Sequence, residues 1–227
     1  MSAEAAAPAV ALDFYGATVS VESTDPELRK RVSDDFPTFA AASPARGREH
    51  LEIRAERSRP DYDALPPLLS TVHTPRNVCY SDGSVTYIDY FGKALALWDR
   101  ERRTFDVACE DLDLLHEIVY LTVLSRVSEA LERDGLHRVH AFGLEAGGEA
   151  ALFLMPSGGG KTTLTLGFLR LGAPFRLLSE DSPLVDRKGR VHPFPLRIGV
   201  LGAEPPPFPP EHVTFIRRME FGPKHLV

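Results

Sequence analysis

The sequence has few of the residues that mark several specialised protein classes. Of its 227 residues, only two are cysteine and one is tryptophan. Cys79 and Cys109 are too far apart for a zinc knuckle and too few for a disulfide framework. We therefore expect two reduced thiols that pack as small buried hydrophobic residues, in a protein from a reducing compartment.

An excess of basic residues and long apolar runs are also missing. The chain has 26 Lys and Arg against 32 Asp and Glu, a net charge of −6, whereas a nucleic-acid-binding protein usually carries a basic face. No apolar run reaches the roughly 20 residues of a membrane span. The first residues, MSAEAAAPAVAL, lack the basic start of a secretory signal. The sequence therefore predicts a cytoplasmic protein with neither a nucleic-acid nor a membrane partner.

What is present is the composition of an ordinary globular chain, with 43% hydrophobic and 26% charged residues. Residues 1–110 carry mostly strand patterns, over segments 11–23, 50–56 and 77–109, the last long enough for three or four strands. Within it Asp82-Gly83 is a strong hairpin signal. This first region is predicted to be a mostly antiparallel β domain, and it contains no motif that indicates a role.

One helix is predicted inside this β region, over residues 25–40. Asp25 is a good N-cap, and Pro26 occupies the first helical position, where its missing N–H costs nothing. Segments 41–49 and 57–76 are predicted to be solvent-facing loops because of their turn-forming residues.

From residue 111 the pattern changes, and residues 111–227 are predicted to form a second domain. It opens with a long, largely buried helix over 111–135 that ends at Gly135. Several side chains in its first turns are types that bind metals: Asp111, Asp113, His116 and Glu117. A solvated first turn, with acids near the positive end of the helix dipole, is the interpretation we favour over a metal site.

A glycine-rich loop is the strongest motif in the chain. Two short apolar runs in 136–155, joined by a turn at 145–149, lead into LMPSGGGKTTL, and residues 162–172 then have helical spacing. Glycines between a strand and a helix let backbone N–H groups approach a phosphate at the helix N-terminus. The pattern is that of a phosphate-binding P-loop, except that Met155 replaces its first glycine.

The motif assigns residues to ATP and Mg²⁺. Lys161 is expected to reach the β and γ phosphates, and the Thr162 hydroxyl to bind Mg²⁺. The predicted nucleotide-binding residues in this loop are Ser157, Gly158, Gly159, Gly160, Lys161, Thr162 and Thr163. The alternative is a glycine-rich turn followed by an incidental lysine, which the flanking strand and helix make the weaker interpretation.

Two further features lie at suggestive positions around the loop. Glu180-Asp181 follows the strand pattern after the P-loop helix, where Asp181 is placed to accept a proton and either acid is placed to bind Mg²⁺. The alternative for this pair is a helix cap or turn. His140 lies 21 residues before Lys161, and a lone histidine among apolar neighbours is more often structural.

Together, VHAFGLEAGGEAALFLMPSGGGKTTL and the later FRLLSEDSPLV resemble the catalytic domain of HPr kinase/phosphorylase, whose core is similar to that of phosphoenolpyruvate carboxykinase. The resemblance covers roughly residues 136–200. It implies an α/β chain, α+β overall, with a P-loop kinase-like mixed-sheet core after the β region. It also implies ATP- and Mg²⁺-dependent phosphoryl transfer to a serine of a small protein or peptide. Asp181 would be the base and Glu180 a metal ligand, and the spacing of 21 residues between His140 and Lys161 would make His140 a further catalytic residue. The protein would be a homo-oligomer.

Two departures from the family pattern keep other functions open. In HPFPLRIGV, over 192–200, Arg197 keeps a nucleotide-binding position, but Pro195 stands where the family has a metal-binding glutamate. The resemblance also implies that the second domain is truncated at its C-terminus. The alternative is therefore a nucleotide-binding regulatory or assembly module without kinase activity. A phosphorylase or a plain ATPase would use the same residues.

Overall fold

The protein has a mixed α/β fold of the α+β class, with three α-helices and a large mixed sheet among its described residues. It is represented by a computed structural model that describes residues 8–43, 49–63, 65–156 and 158–200, and the backbone of strands at 214–218 and 222–226. These residues form two compact units. Unit 1 holds the described residues up to Val127 together with Arg218, and unit 2 holds those from Ser128 to Arg217 and from 222 to 226. None of the helices in this part of the chain is long and apolar enough to cross a membrane.

Unit 1 contains one eight-stranded sheet. Its strands are Ala9–Phe14 (β1), Ala17–Glu22 (β2), Glu49–Glu56 (β3), Ser70–His73 (β4), Val78–Asp82 (β5), Val85–Asp89 (β6), Ala94–Asp99 (β7) and Thr104–Cys109 (β8). They lie in the order β1-β2-β3-β8-β7-β6-β5-β4. The segment predicted to hold three or four strands forms the antiparallel meander β5 to β8. The antiparallel prediction is wrong for β3, which is parallel to both neighbours. The helical crossover between β2 and β3 accounts for the first of these pairings.

Two segments of unit 1 differ from the prediction. Residues 11–23 form a hairpin rather than one strand, because the chain reverses at Tyr15 and Gly16, with φ of 57° and 94°. The Gly16 N–H donates to Oδ1 of Asp13 across 2.7 Å and closes this turn. Residues 57–76 were predicted to be a loop but contain the exposed edge strand β4.

Helix α1 spans Pro26–Asp35 and begins where the sequence predicts. Oδ1 of Asp25 accepts hydrogen bonds from the N–H groups of Glu27 and Leu28, at 2.8 and 3.1 Å. The predicted end at residue 40 is too late. Pro37 disfavours a helical conformation at the residue before it, and Pro37–Phe39 forms a separate 3₁₀ turn.

Helix α2 spans Leu112–Arg133 and corrects the interpretation of its first turns. Asp111 caps the helix as an exposed residue, but His116 and Glu117 are only 3% and 4% exposed. His116 Nε2 lies 2.7 Å from Oδ2 of the buried Asp35. The solvated-turn prediction is therefore wrong for His116 and Glu117, because their face of the helix is turned inward. No group of three or more His, Cys, Asp or Glu side chains within the described ranges could hold a metal.

The two cysteines are reduced, and only one is fully buried. Cys109 has no exposed surface, whereas Cys79 is half-buried on β5. Burial raises the pKa of both thiols, so both are weak nucleophiles at neutral pH.

Unit 2 contains three small sheets and the helix α3, Lys161–Leu171. Its strands are Leu136–Arg138 (β9), Phe142–Ala146 (β10), Glu149–Phe153 (β11), Arg176–Ser179 (β12), Leu184–Asp186 (β13), Val191–His192 (β14), Gly199–Val200 (β15), Thr214–Arg218 (β16) and Gly222–Leu226 (β17). The sheet orders are β11-β10-β12, β14-β13-β9 and β15-β17-β16. Phe168 of α3 packs against Phe142 and Phe153, with ring centroids 5.9 and 6.4 Å apart, which fixes the helix on the first sheet.

Candidate functional site

The topology of the sheet β11-β10-β12 brings the predicted site residues to one edge. β10 is antiparallel to both neighbours, so it begins at the edge where β11 and β12 end. The glycine loop follows β11, and Glu180-Asp181 follows β12. His140 lies in the link between β9 and β10, just before β10 begins.

The glycines of the loop are required by its backbone. Gly158 and Gly160 have φ of 75° and 91°, a left-handed conformation that other residues adopt at a cost, and a Cβ on either would meet no atom within 4 Å. Gly159 donates its N–H to the Pro156 carbonyl oxygen across 2.9 Å, and a Cβ there would lie 2.9 Å from that oxygen. The predicted ligand Ser157 lies outside the described residues. Met155, which replaces the first motif glycine, is half-buried.

Helix α3 begins directly at the end of this loop, as the sequence predicts. Gly160 is its N-cap and contributes no side-chain hydrogen bond, so the first N–H groups of the helix have neither a side-chain cap nor an intrahelical partner. Thr163 lies exposed in this first turn. A helix start of this kind attracts anions through its N–H groups and its dipole.

Lys161, His140 and Asp181 form a connected group, which we call the Lys–His–Asp group. Nζ of Lys161 lies 2.7 Å from Nε2 of His140 and 3.5 Å from Oδ1 of Asp181. Nδ1 of His140 lies 3.1 Å from the same Oδ1. Because an ammonium only donates, Nε2 accepts from Lys161, and we assign the ring proton to Nδ1, which donates to Asp181.

Exposure differs sharply within this group. The Lys161 side chain is 10% exposed, whereas those of His140 and Asp181 are 64% and 46% exposed. The ammonium is therefore held in a fixed place, while the carboxylate is open to a second molecule. Such a group can present a localised positive charge beside an accessible proton acceptor.

Thr162 and Glu180 form a second pair beside the first. The Thr162 hydroxyl donates to Oε1 of Glu180 across 2.6 Å, and both residues are half-buried. A hydroxyl and a carboxylate are hard oxygen donors of the kind Mg²⁺ prefers. Thr162 is held in the first turn of α3, in which the Thr165 hydroxyl donates to the Lys161 carbonyl oxygen at 2.9 Å.

A tight turn carries the two acids. Ser182 donates its N–H to Oγ of Ser179 across 3.0 Å, and both serines are buried. Glu180-Asp181 can therefore be both a turn and a functional pair, because the turn is what directs the two acids toward α3. Sequence reasoning missed the two serines as supports of the site, although serine is a common turn former.

Arg197 lies half-buried between β14 and β15, in the same segment as the half-buried Pro195. Nucleotide binding by Arg197 stays a prediction.

Compared with protein-family models, with curated proteins and with solved structures, the chain matches none of them. The function is therefore argued from the site alone.

Proposed function

We propose that unit 2 is a P-loop kinase-like core of the HPr kinase type, which transfers a phosphoryl group from ATP, with Mg²⁺, to a serine hydroxyl of a small protein or peptide. One observation carries the proposal. A glycine loop ends in Lys161, whose ammonium contacts Asp181 directly and through His140. Phosphoryl transfer to a hydroxyl requires these two groups together, a cation for the phosphates and a base for the hydroxyl.

The loop fits a phosphate chain. Gly158 and Gly160 leave open space where side chains would stand, and the N-terminus of α3 faces the same loop. Lys161 adds a full positive charge there. Backbone N–H groups, the helix dipole and an ammonium together attract the β and γ phosphates of a nucleotide.

Thr162 and Glu180 fit a magnesium ion that also binds the nucleotide. Proteins usually hold Mg²⁺ with one or two carboxylates and leave the other positions to water and substrate phosphates, so two protein oxygens are sufficient. When bound, the ion would neutralise charge on the phosphates.

Asp181 is the proposed base. Its carboxylate takes the proton of the acceptor hydroxyl, the hydroxyl oxygen forms a bond to the γ phosphorus, and the bond from that phosphorus to the ADP oxygen breaks. His140 donates to Asp181 through Nδ1 and accepts from Lys161, so it fixes the orientation of both. Lys161 holds positive charge at the phosphates throughout.

A nucleotide-binding regulatory or assembly module without transfer is the second candidate. Pro195, at the position where the resemblance implies a metal-binding glutamate, favours it. Such a module would keep the loop and Lys161 but have no use for Asp181 as a base. Hydrolysis of ATP, or the reverse phosphorylase reaction, would use the same residues as the kinase.

The test is transfer of label from γ-³²P-ATP with Mg²⁺ to a library of serine-containing peptides and small proteins. We expect label on a serine, lost in both Lys161→Met and Asp181→Asn. Lys188→Met is the matched control, because Lys188 is an exposed lysine of the same unit outside the site. Tight ATP binding without transfer to any acceptor would contradict the kinase and support the module, and equal transfer by Asp181→Asn would remove Asp181 as the base.

A further inference from the structure

Arg138, on β9, is bonded to two serines from other parts of unit 2. Its Nη1 donates to Oγ of Ser128 on α2 across 2.8 Å, and its Nη2 donates to Oγ of Ser182 across 2.7 Å. Ser182 is 4% exposed and directly follows Asp181. The guanidinium therefore holds the turn that carries the proposed base.

The same arginine lies where the two chain segments of the site are joined. Arg138 pairs with Leu184 in the antiparallel ladder of β9 and β13, and the Val139 N–H donates to the Pro183 carbonyl oxygen across 3.0 Å. His140 comes two residues after Arg138. The backbone thus joins the segment before His140 to the segment after Asp181, and Arg138 adds a side-chain bond at this junction.

A third contact fixes the plane of the guanidinium. Its Cζ lies 5.7 Å from the ring centroid of Phe194, which is fully buried. The Phe194 N–H donates to the carbonyl oxygen of Leu178 on β12 across 2.8 Å. The guanidinium is planar, donates two hydrogen bonds from separate nitrogens and lies over an aromatic ring. An arginine side chain provides this geometry and a lysine side chain does not.

We propose that Arg138 is a positioning residue, which through Ser182 fixes the turn of Asp181 and so sets the contact between Asp181 and His140. The effect on phosphoryl transfer rests on the proposed function, whereas the effect on the His140–Asp181 contact does not. Without the guanidinium the turn keeps the Ser179 hydrogen bond but loses its link to β9, so Asp181 moves relative to His140 and the Nδ1 proton of His140 loses its acceptor.

The hydrogen bond from Nδ1 of His140 to Asp181 can be tested directly. Long-range ¹H–¹⁵N correlation spectra of the full chain report which ring nitrogen carries the proton, with His140 assigned through His140→Gln. We expect a proton on Nδ1 in the wild type, donated to Asp181. In Arg138→Met the Lys161 ammonium still keeps Nε2 an acceptor, so the proton stays on Nδ1, but the Nδ1 resonance shifts because its carboxylate acceptor has moved. Ser182→Ala is the second variant, because it keeps the half-buried guanidinium and its hydrogen bond to Ser128. Arg133→Met is the control, since it removes a solvent-exposed arginine from the same unit.

A merely structural arginine would lower the melting temperature and leave the His140 ring signals unchanged. Unchanged signals in folded Arg138→Met and Ser182→Ala would overturn the proposal. In the transfer assay we expect both variants to keep ATP affinity and to lose about 10- to 100-fold in turnover, the effect of a small misplacement of a reacting group. A wild type that transfers no label would contradict the proposed function, while the His140 ring signals would still decide the role of Arg138.

Discussion

Thr162 and Glu180 are 18 positions apart in sequence, yet the hydroxyl of one donates to the carboxylate of the other across 2.6 Å. Thr162 is in the first turn of α3, and Glu180 follows β12, so the pair joins the loop side of the site to the acid side. The distance between the Thr162 hydroxyl and the Glu180 carboxylate depends on how α3 packs on the sheet β11-β10-β12. The pair therefore gives a sensitive test of the proposed metal site.

Replacing Thr162 by valine removes the hydroxyl at nearly constant volume. We expect Mg²⁺ to strengthen ATP binding in the wild type and to have little effect in Thr162→Val, as measured by calorimetric titration with and without Mg²⁺. Thr163→Val is the control for the Mg²⁺ effect. Thr163 is a predicted nucleotide ligand, so its loss can weaken ATP binding itself, but its exposed hydroxyl has no part in the proposed metal site and Mg²⁺ should still strengthen the binding that remains. An undiminished Mg²⁺ effect in Thr162→Val would rule out this hydroxyl as a ligand.

The loop glycines should be sensitive to alanine for conformational reasons. Gly158 and Gly160 have positive φ, so each substitution should lower the free energy of unfolding by about 1–2 kcal/mol and weaken ATP binding. Gly167, exposed in the interior of α3 with open space around it, is the control. Alanine at that position should raise stability by about 0.5–1 kcal/mol. Thermal unfolding followed by circular dichroism measures the stability of all three variants, and a stabilising Gly160→Ala would contradict a positive φ at this position.

The buried pair of His116 and Asp35 should contribute strongly to the stability of unit 1. The side chains of His116 and Asp35 are 4% and 1% exposed. His116→Ala leaves the Asp35 carboxyl buried without the imidazole, so it should lower the free energy of unfolding by about 3–5 kcal/mol. Urea unfolding followed by the fluorescence of the single tryptophan, Trp98 on β7, measures this. In the exposed pair Lys30–Asp34, Lys30→Ala should cost less than about 1 kcal/mol. Equal costs would contradict the burial of His116.

The cap of α1 should give a pH-dependent contribution to stability. The N–H of Leu28, then that of Glu27, and the nearby Arg57 hold the pKa of Asp25 below its usual range. A depressed pKa in the folded state means that the contribution is complete above the unfolded pKa, about 3.9, and is lost as the pH falls through the folded value.

Asp25→Ala should therefore cost about 1 kcal/mol at pH 7, and its difference from the wild type should shrink below about pH 4. Asp25→Asn keeps a capping side chain that does not titrate, so its stability relative to Asp25→Ala should not change with pH. Urea unfolding at a series of pH values measures both differences. A wild-type advantage over Asp25→Ala that persists unchanged to pH 2 would contradict the role of the carboxylate.

Local signals predicted the elements whose causes are local in sequence. Asp25 predicted the start of α1, the hairpin at Asp82-Gly83 joins β5 to β6, and α2 ends just before Gly135, which has a φ of 83°. The glycine loop likewise predicted the order of β11, loop and α3. In each case the signal is a capping side chain or a positive φ of the residue itself, so the element can be predicted without knowing any distant contact.

Contacts between distant residues could not be predicted in the same way. His116 is buried because its partner Asp35, 81 residues away, lies beside it. The parallel pairing of β3 with β8 depends on which strand enters the centre of the sheet. Arg138 has no local signal either, since its acceptor Ser182 is 44 residues away. The grouping of His140, Lys161 and Asp181 was expected from a resemblance rather than from their local sequence.

Calorimetric titration of ATP with Mg²⁺ into the wild type and Lys161→Met tests the central claim most directly, because phosphate binding by the loop precedes every later step. The account predicts saturable binding to the wild type, retained by Lys188→Met and lost in a folded Lys161→Met. No binding to the wild type, or equal affinity in Lys161→Met, would contradict it.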